Sequence, residues 1–182
     1  MSLHFSKEEF HKRKLNTLRC MKEKNLDALL MFRQESMYWL TGYDTFGYVF
    51  FQTLILDQKG NVILLTRAPD LRQAQNTSNI EDIRIWVDKD GVNPTDDLKI
   101  ILDELNLKGK KIGVEYEAYG MTGRNALKLN KSLDGYCNVE DQSELITKLR
   151  VIKSNEEIIY VKKAAELADS ALDEAGKYTR AG

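Results

Sequence analysis

Histidine is the scarcest chemically useful residue in this 182-residue chain: there are two, His4 and His11, and none follows residue 11. General-base work falls most often to histidine, and catalytic zinc sites commonly use it. Both lie on or before the first predicted helix, at a chain end where a triad is hard to hold in place. They read as exposed helix residues. Cysteine is equally sparse, with Cys20 and Cys137 far apart and no C-x-x-C. That count fits two buried thiols in a reducing cytoplasm rather than a disulfide framework. No apolar run reaches the roughly 18–20 residues of a membrane-spanning helix; the longest candidate, residues 46–56, is too short. Residues 1–21 are charged and amphipathic, unlike a signal peptide. With 27 basic and 28 acidic residues, the formal net charge is −1. Nucleic acid needs clustered cations to displace counterions, and this balance supplies no such field. Neither G-x-x-x-x-G-K-[ST] nor G-x-G-x-x-G occurs.

What is present is the pattern of a globular α/β domain. Composition is 42% hydrophobic and 30% charged, ordinary for a soluble fold. Ser6 with Glu9 reads as a capping box opening a helix to about Lys24, with Phe10, Leu15, Leu18 and Met21 turned inward. Residues 27–32 read as a buried strand. Residues 48–57 are β-rich, and the turn Asp57-Gln58-Lys59-Gly60 predicts a hairpin back through residue 66. Pro69 and Asn93-Pro94 open further helices, the second with Leu98, Ile101, Leu102 and Leu105 on one face. Strands are expected at 83–87, 111–116 and 136–139. Thr122 caps a helix to about Ser132, and Ser143 opens one reaching Arg150. Ser154 with Glu157 is a second capping box. It starts a long helix whose stripe runs Ile158, Val161, Ala165, Ala168, Leu172, Ala175, with Gly176 as a left-handed C′ residue.

Candidate chemistry is thin. Glu115 and Glu117 share one face of a strand or its end and could meet a metal, but without a neighbouring histidine they read as a solvated strand end. Gly120-Met121-Thr122-Gly123 reads as a turn capped by Thr122. The densest feature is aromatic: Tyr38, Trp39, Tyr43, Phe46, Tyr48, Phe50 and Phe51 crowd into fourteen residues. In a strand, Phe46, Tyr48 and Phe50 would face one way and Phe51 the other. Most of the cluster reads as core. Tyr43, Asp44, Phe46 and Tyr48 are the members expected at a binding or dimerisation surface.

Three segments taken together resemble a known family. They are KNLDALLMF (residues 24–32), SMYWLTGYDTFGYVFF (36–51) and LRVIKSNEEIIYVKKAAELADSALDEA (149–175). They are similar to the N-terminal domain of the pita-bread metallohydrolases: Xaa-Pro dipeptidase (prolidase), aminopeptidase P, creatinase and ectoine hydrolase. The resemblance covers about residues 8–178. It implies an α/β fold with a mixed, roughly six-stranded sheet and helices on both faces, followed by a C-terminal linker helix. Domain limits of 1–145 and 146–182 are expected, with the chain as the front part of a larger protein.

The same resemblance implies that catalysis belongs to a later domain, which in the peptidase members holds two divalent metals (Mn, Co or Zn) through two aspartates, a histidine and two glutamates and in creatinase-type members lacks them. This chain itself is expected to carry no catalytic residue and no cofactor. It implies a homodimer in the parent, a small peptide or amide substrate, and a cytoplasmic setting. The family position that reaches the partner's active site falls on Asp44 to Phe50, so Tyr43, Asp44, Phe46, Tyr48 and Phe50 are the expected contacts. Creatinase-like members carry an arginine near Phe50, absent here. Arg67 and Arg72 remain weaker carboxylate partners by charge. The other reading is a free-standing binding module that uses the aromatic patch for its own ligand.

Overall fold

The computed structural model describes residues 3–181, which divide between Leu149 and Arg150 into two compact units. In the first unit, Ser6 caps α1 (Lys7–Glu23), its hydroxyl accepting from the Glu9 N–H. Asn25, with a left-handed φ of 55°, turns the chain into β1 (Ala28–Met31). α2 (Gln34–Thr41) ends at Gly42, where φ is 82° and a Cβ would lie 2.9 Å from the Thr77 carbonyl oxygen. Only glycine satisfies both conditions. β2 (Thr53–Asp57) and β3 (Val62–Arg67) make the expected hairpin, and Asp57 Oδ1 accepts from the Lys59 and Asn61 amides inside its turn. A 3₁₀ turn at Ala68–Asp70 and α3 (Leu71–Thr77) lead to β4 (Asp82–Trp86). α4 (Pro94–Glu104) is capped by Asn93 and α5 (Gly123–Leu133) by Thr122, with β5 (Lys111–Val114) between them. β6 (Asn138–Asp141) and α6 (Glu144–Val151) follow.

The six strands form one sheet in the order β4-β3-β2-β1-β5-β6. β2 is antiparallel to both neighbours and every other pairing is parallel, so five strands run in one direction. Alternation along each strand divides the core in two. On one face Leu30, Ile55, Leu65 and Val114 pack with Leu98, Ile101 and Leu129 from α4 and α5. On the other Leu29, Leu56 and Leu64 pack with Met21, Leu40 and Ile146 from α1, α2 and α6. Each such buried side chain contributes about 1.5–3 kcal/mol relative to exposure. The mixed sheet with helices on both faces is the expected architecture.

Four local expectations need correction. On α1 the inward stripe is Phe10, Arg13, Thr17 and Met21, while Leu15 is exposed. The arginine takes the inward place because three aromatic rings and a carbonyl receive it. Residues 47–49 form a 3₁₀ turn, not strand, so the aromatic alternation across residues 46–51 is not realised. Cys20 and Cys137 are both half-buried rather than fully buried, and neither is bonded in a disulfide.

The fourth correction lies in the second unit, α7 (Asn155–Tyr178). Its capping box is complete: Ser154 Oγ accepts from Glu157 N–H and the Glu157 carboxylate accepts from Ser154 N–H at 2.8 Å. The helix runs through Gly176, which is not a left-handed residue. None of its residues is buried. The stripe from Ile158 to Ala175 lies beside a second one at Tyr160, Ala164, Leu167 and Ala171, leaving the charges on the opposite arc.

Candidate functional site

Because five strands run one way, their carboxyl ends share one edge of the sheet. Phe32 and Arg33 follow β1 there, Arg67 closes β3, Trp86 closes β4, Glu115 follows β5 and Ser143 follows β6. Antiparallel β2 starts at the same edge, which places Gln52 and the turn that precedes it among them.

That turn carries the predicted aromatic residues, and the structure separates them. Tyr43 is fully buried: its hydroxyl donates to Gln52 Oε1 at 2.9 Å, and burial raises its pKa. Thr66 Oγ1 donates to the same oxygen at 3.0 Å. The surface role expected of Tyr43 is therefore corrected to a core anchor beneath the turn. Asp44 is exposed, and its amide donates to Thr77 Oγ1. Phe46 is 86% exposed and Phe50 43%, with Val49 at 51% between them. Tyr48 is half-buried and meets Tyr119, itself 79% exposed, edge-on at 5.9 Å between centroids.

Two glycines fix this turn against the body. A Cβ on Gly47 would lie 2.6 Å from Asp70 Oδ1, and one on Gly120 would lie 2.7 Å from the Phe50 carbonyl oxygen and 2.8 Å from that of Tyr48. Trp86 Nε1 donates to the Phe51 carbonyl at 3.0 Å. The rings are thus presented on a fastened scaffold. Sequence reading missed Tyr119 and Gly120; the G-x-x-G that contains Gly120 gives no sign that residues 48–50 lie against it.

Arg67 lies under the turn with its guanidinium carbon 3.4 Å from the Phe50 ring centroid. It donates to Asp70 Oδ2 at 3.1 Å through Nη2 and 3.2 Å through Nε, and reaches Asp88 at 3.4 Å. Two carboxylates already match its charge. Arg72 is exposed on α3.

The carboxylate pair also divides. Glu117 is exposed and pairs with Arg33 at 3.1 Å. Glu115 is fully buried, which overturns its reading as a solvated strand end. Its Oε2 accepts from the amides of Phe32 and Arg33, both at 3.1 Å, and Ser36 Oγ is 2.6 Å from Oε1. Burial pushes its carboxyl up to about 7, against the pull of these donors and of Arg33. Its partners lie about eighty residues earlier in the chain, so no local signal could have named them.

Two open grooves lie elsewhere. One of about 650 Å³ is lined by Tyr116, Leu127, Asn130 and Cys137, whose thiol burial pushes up to about 11. One of about 800 Å³ is lined by His11, Lys14, Asn61, Arg84 and Glu104 among others. Neither includes a residue of the aromatic turn. Among the described residues, no three His, Cys, Asp or Glu side chains come together as metal ligands would. No helix of the described residues is long and apolar enough to cross a membrane.

The family model for the creatinase/prolidase N-terminal domain matches residues 13–152. The chain belongs to this family. The matched stretch contains all six strands, the aromatic turn and Glu115; α7 follows it. Among curated proteins, the chain is 28% identical over 180 residues to an uncharacterised hydrolase/peptidase of Sinorhizobium fredii, covering 95% of this chain and 46% of that one. It is 26% identical over 174 residues to the ectoine hydrolase of Halomonas elongata, covering 92% and 43%. It therefore spans a little under half the length of these relatives. Among solved structures, the recombinant prolidase of Thermococcus sibiricus superposes with a TM-score of 0.79 at 23% identity, covering 95% of this chain and 45% of that one. At that identity the likeness is one of fold.

Proposed function

We propose that this chain is the non-catalytic N-terminal domain of an Xaa-Pro dipeptidase or creatinase-type hydrolase. In this reading it supports dimerisation and partly covers the partner subunit's active site, restricting the length of peptide or amide substrate. The hydrolytic step belongs to a separate domain of the parent enzyme, with divalent metals where that parent is of the peptidase type, and the protein works in the cytoplasm. Membership of the creatinase/prolidase N-terminal domain family supports this reading.

The observation that carries it is the aromatic turn. Phe46, Val49 and Phe50 are exposed on a turn held by Gly47, Gly120 and Trp86, and Tyr48 of the same turn meets the exposed Tyr119. Exposed aromatic groups on a rigid base lose little conformational freedom on contact, which favours recognition of another surface. Arg67 is spent on Asp70 and Asp88, so the turn offers rings rather than a carboxylate clamp.

The test begins with the native coding frame after residue 182. A following domain with spaced Asp, Asp, His, Glu and Glu allows the full-length protein to be compared with a Phe46→Ser, Phe50→Ser variant. The variant should dimerise more weakly, by at least tenfold in Kd. It should also lose discrimination between a Xaa-Pro dipeptide and a longer Xaa-Pro peptide. Unchanged dimerisation and unchanged length preference would refute the role of the turn. Metal-dependent cleavage of Gly-Pro by residues 1–182 alone would refute the non-catalytic assignment.

A further inference from the structure

β6 is the last strand on its side of the sheet, so one of its backbone edges meets no other strand. Which groups face outward follows from its pairing with β5. The Asn138 amide donates to the Lys110 carbonyl at 2.8 Å and the Gln142 amide to the Val114 carbonyl at 2.9 Å. With a period of two, residues 138, 140 and 142 turn their backbone groups toward β5. Val139 and Asp141 turn theirs outward. Asn138, Glu140 and Asp141 are exposed and Val139 is half-buried.

The other end of the sheet is guarded differently. Residues 82–85 of β4 are half-buried, and Arg84 is held by Asp82 at 3.0 Å and Glu104 at 3.1 Å. An unguarded row of backbone donors and acceptors is a template for a further strand.

Beside the β6 edge lies the groove of about 650 Å³ lined by residues of α5 and β6. Leu127, 74% exposed, and Val139 contribute apolar surface to it. β5 and β6 are parallel, so the intervening α5 runs back against them. Lys131 therefore lies toward the start of β6, whereas Asp141 ends it. Both line the groove and both are exposed. Asp141 Oδ1 accepts from the Ser143 amide at 2.9 Å and hydroxyl at 2.6 Å. Among the described residues, neither Lys131 nor Asp141 has an ion-pair partner.

We propose that β6 pairs antiparallel with β6 of a second copy of this chain, joining two sheets across a two-fold axis at Val139.

Self-pairing needs a register in which outward-facing residues meet. Two registers centre on this strand. One sets Glu140 opposite Glu140 of the second copy, and like charges directly opposed are destabilising. The other sets Val139 opposite Val139, each amide donating to the other's carbonyl. It places the Asn138 amide group opposite the Glu140 carboxylate. It also places Asp141 opposite Cys137, which shares the groove with Lys131. The acidic end of each strand thus meets the basic flank of the other, and the symmetry supplies this contact twice. Charges that discourage unrelated strands select this one register.

One short strand and one helix flank make a small contact, so a Kd on the order of 100 μM is expected. The pairing goes beyond the role proposed for the aromatic turn and uses none of its residues, so the two readings fail separately.

The experiment follows sedimentation equilibrium of the 182-residue chain from about 10 μM to about 1 mM, with amide exchange over residues 138–141. Wild type should dimerise, and the Val139 and Asp141 amides should exchange severalfold more slowly at the higher concentration. Lys131→Glu, on the exposed surface of α5, should raise Kd roughly tenfold at low salt and by less at about 0.5 M salt. Val139→Pro removes an outward amide while sparing the ladder to β5 and should abolish the dimer. If that variant does not fold, Lys131→Glu and the exchange data decide. A wild-type chain that stays monomeric throughout overturns the pairing and leaves the edge to a different strand. Association unmoved by Lys131→Glu and Val139→Pro also overturns it; if Phe46→Ser, Phe50→Ser then abolishes association, the dimer belongs to the aromatic turn.

Discussion

Arg13 gives the sharpest test of how the first helix is held to the sheet. Its side chain is 2% exposed, with Nε donating to Glu9 Oε1 at 2.9 Å and Nη1 to the Trp39 carbonyl at 2.8 Å. The guanidinium carbon stands 4.1 Å from the Phe5 ring centroid, 5.3 Å from that of Trp39 and 5.5 Å from that of Phe10. α1 is thereby fastened to α2, which leads directly into the aromatic turn.

Arg13→Met keeps an unbranched apolar stem and removes the charge. The Glu9 carboxylate is then left buried without its ion-pair partner, a loss worth about 3–5 kcal/mol in comparable buried pairs. The Trp39 carbonyl loses a donor, for which about 1–3 kcal/mol is typical, although the two losses overlap. An expected total of about 3–5 kcal/mol corresponds to a fall in Tm on the order of 10 °C for a unit of this size.

The chain's two tryptophans, Trp39 and Trp86, both lie in the first unit. Their fluorescence in a urea titration therefore reports that unit. Adding Glu9→Gln removes the stranded charge, so the double variant should recover about 1–3 kcal/mol relative to the sum of the single changes. If Arg13→Met costs under about 1 kcal/mol, or the cycle is additive, the buried pair is not what fastens α1.

The glycines make a paired prediction. Gly120→Ala drives a Cβ against the Phe50 and Tyr48 carbonyls; it should cost about 1–3 kcal/mol in urea unfolding and shift the near-UV signal of Tyr48 and Tyr119. Gly123→Ala meets nothing within 4 Å at the first position of α5 and should be neutral or stabilising by up to about 1 kcal/mol. Equal effects at the two sites would remove the argument that close backbone approach fixes the turn. In the second unit, Ser154→Ala removes the hydroxyl half of the capping box and should weaken α7 by about 1 kcal/mol, read as lost ellipticity at 222 nm on warming.

Elements with local causes were legible in the sequence. Ser6, Asn93, Thr122 and Ser154 each cap the helix expected of them, because capping involves residues two or three positions apart. The hairpin at Gly60 follows from its own four residues. Errors arose where a distant segment decides the outcome. Leu15 was expected inside α1 because it is apolar; the helical wheel runs through residues 10, 13, 17 and 21, and Arg13 is accepted there by a carbonyl 26 residues away. Alternation from Phe46 to Phe51 suggested a strand, yet Gly47 against Asp70 and Gly120 against the turn's carbonyls select a 3₁₀ conformation. Of the expected surface contacts, Asp44, Phe46 and Phe50 are exposed and Tyr48 is half-buried, whereas Tyr43 fills the core below them.

The placement of Glu115 bears on how this edge of the sheet can be used. Open α/β sheets receive ligands outside the carboxyl ends of their strands, where the direction of winding changes. Here that place lies between β1 and β5, and the amides of Phe32 and Arg33 with the Ser36 hydroxyl form a ready set of donors at the start of α2. The protein's own carboxyl fills it. Occupation from within satisfies the donors and closes the crevice, so a ligand would have to displace a covalently tethered group. What the same edge leaves exposed is the apolar turn at Phe46, Val49 and Phe50 with Tyr119 beside it. A sheet edge sealed at its winding reversal and carrying fastened aromatic rings a few residues away is suited to meeting another surface, which is the role proposed for the domain.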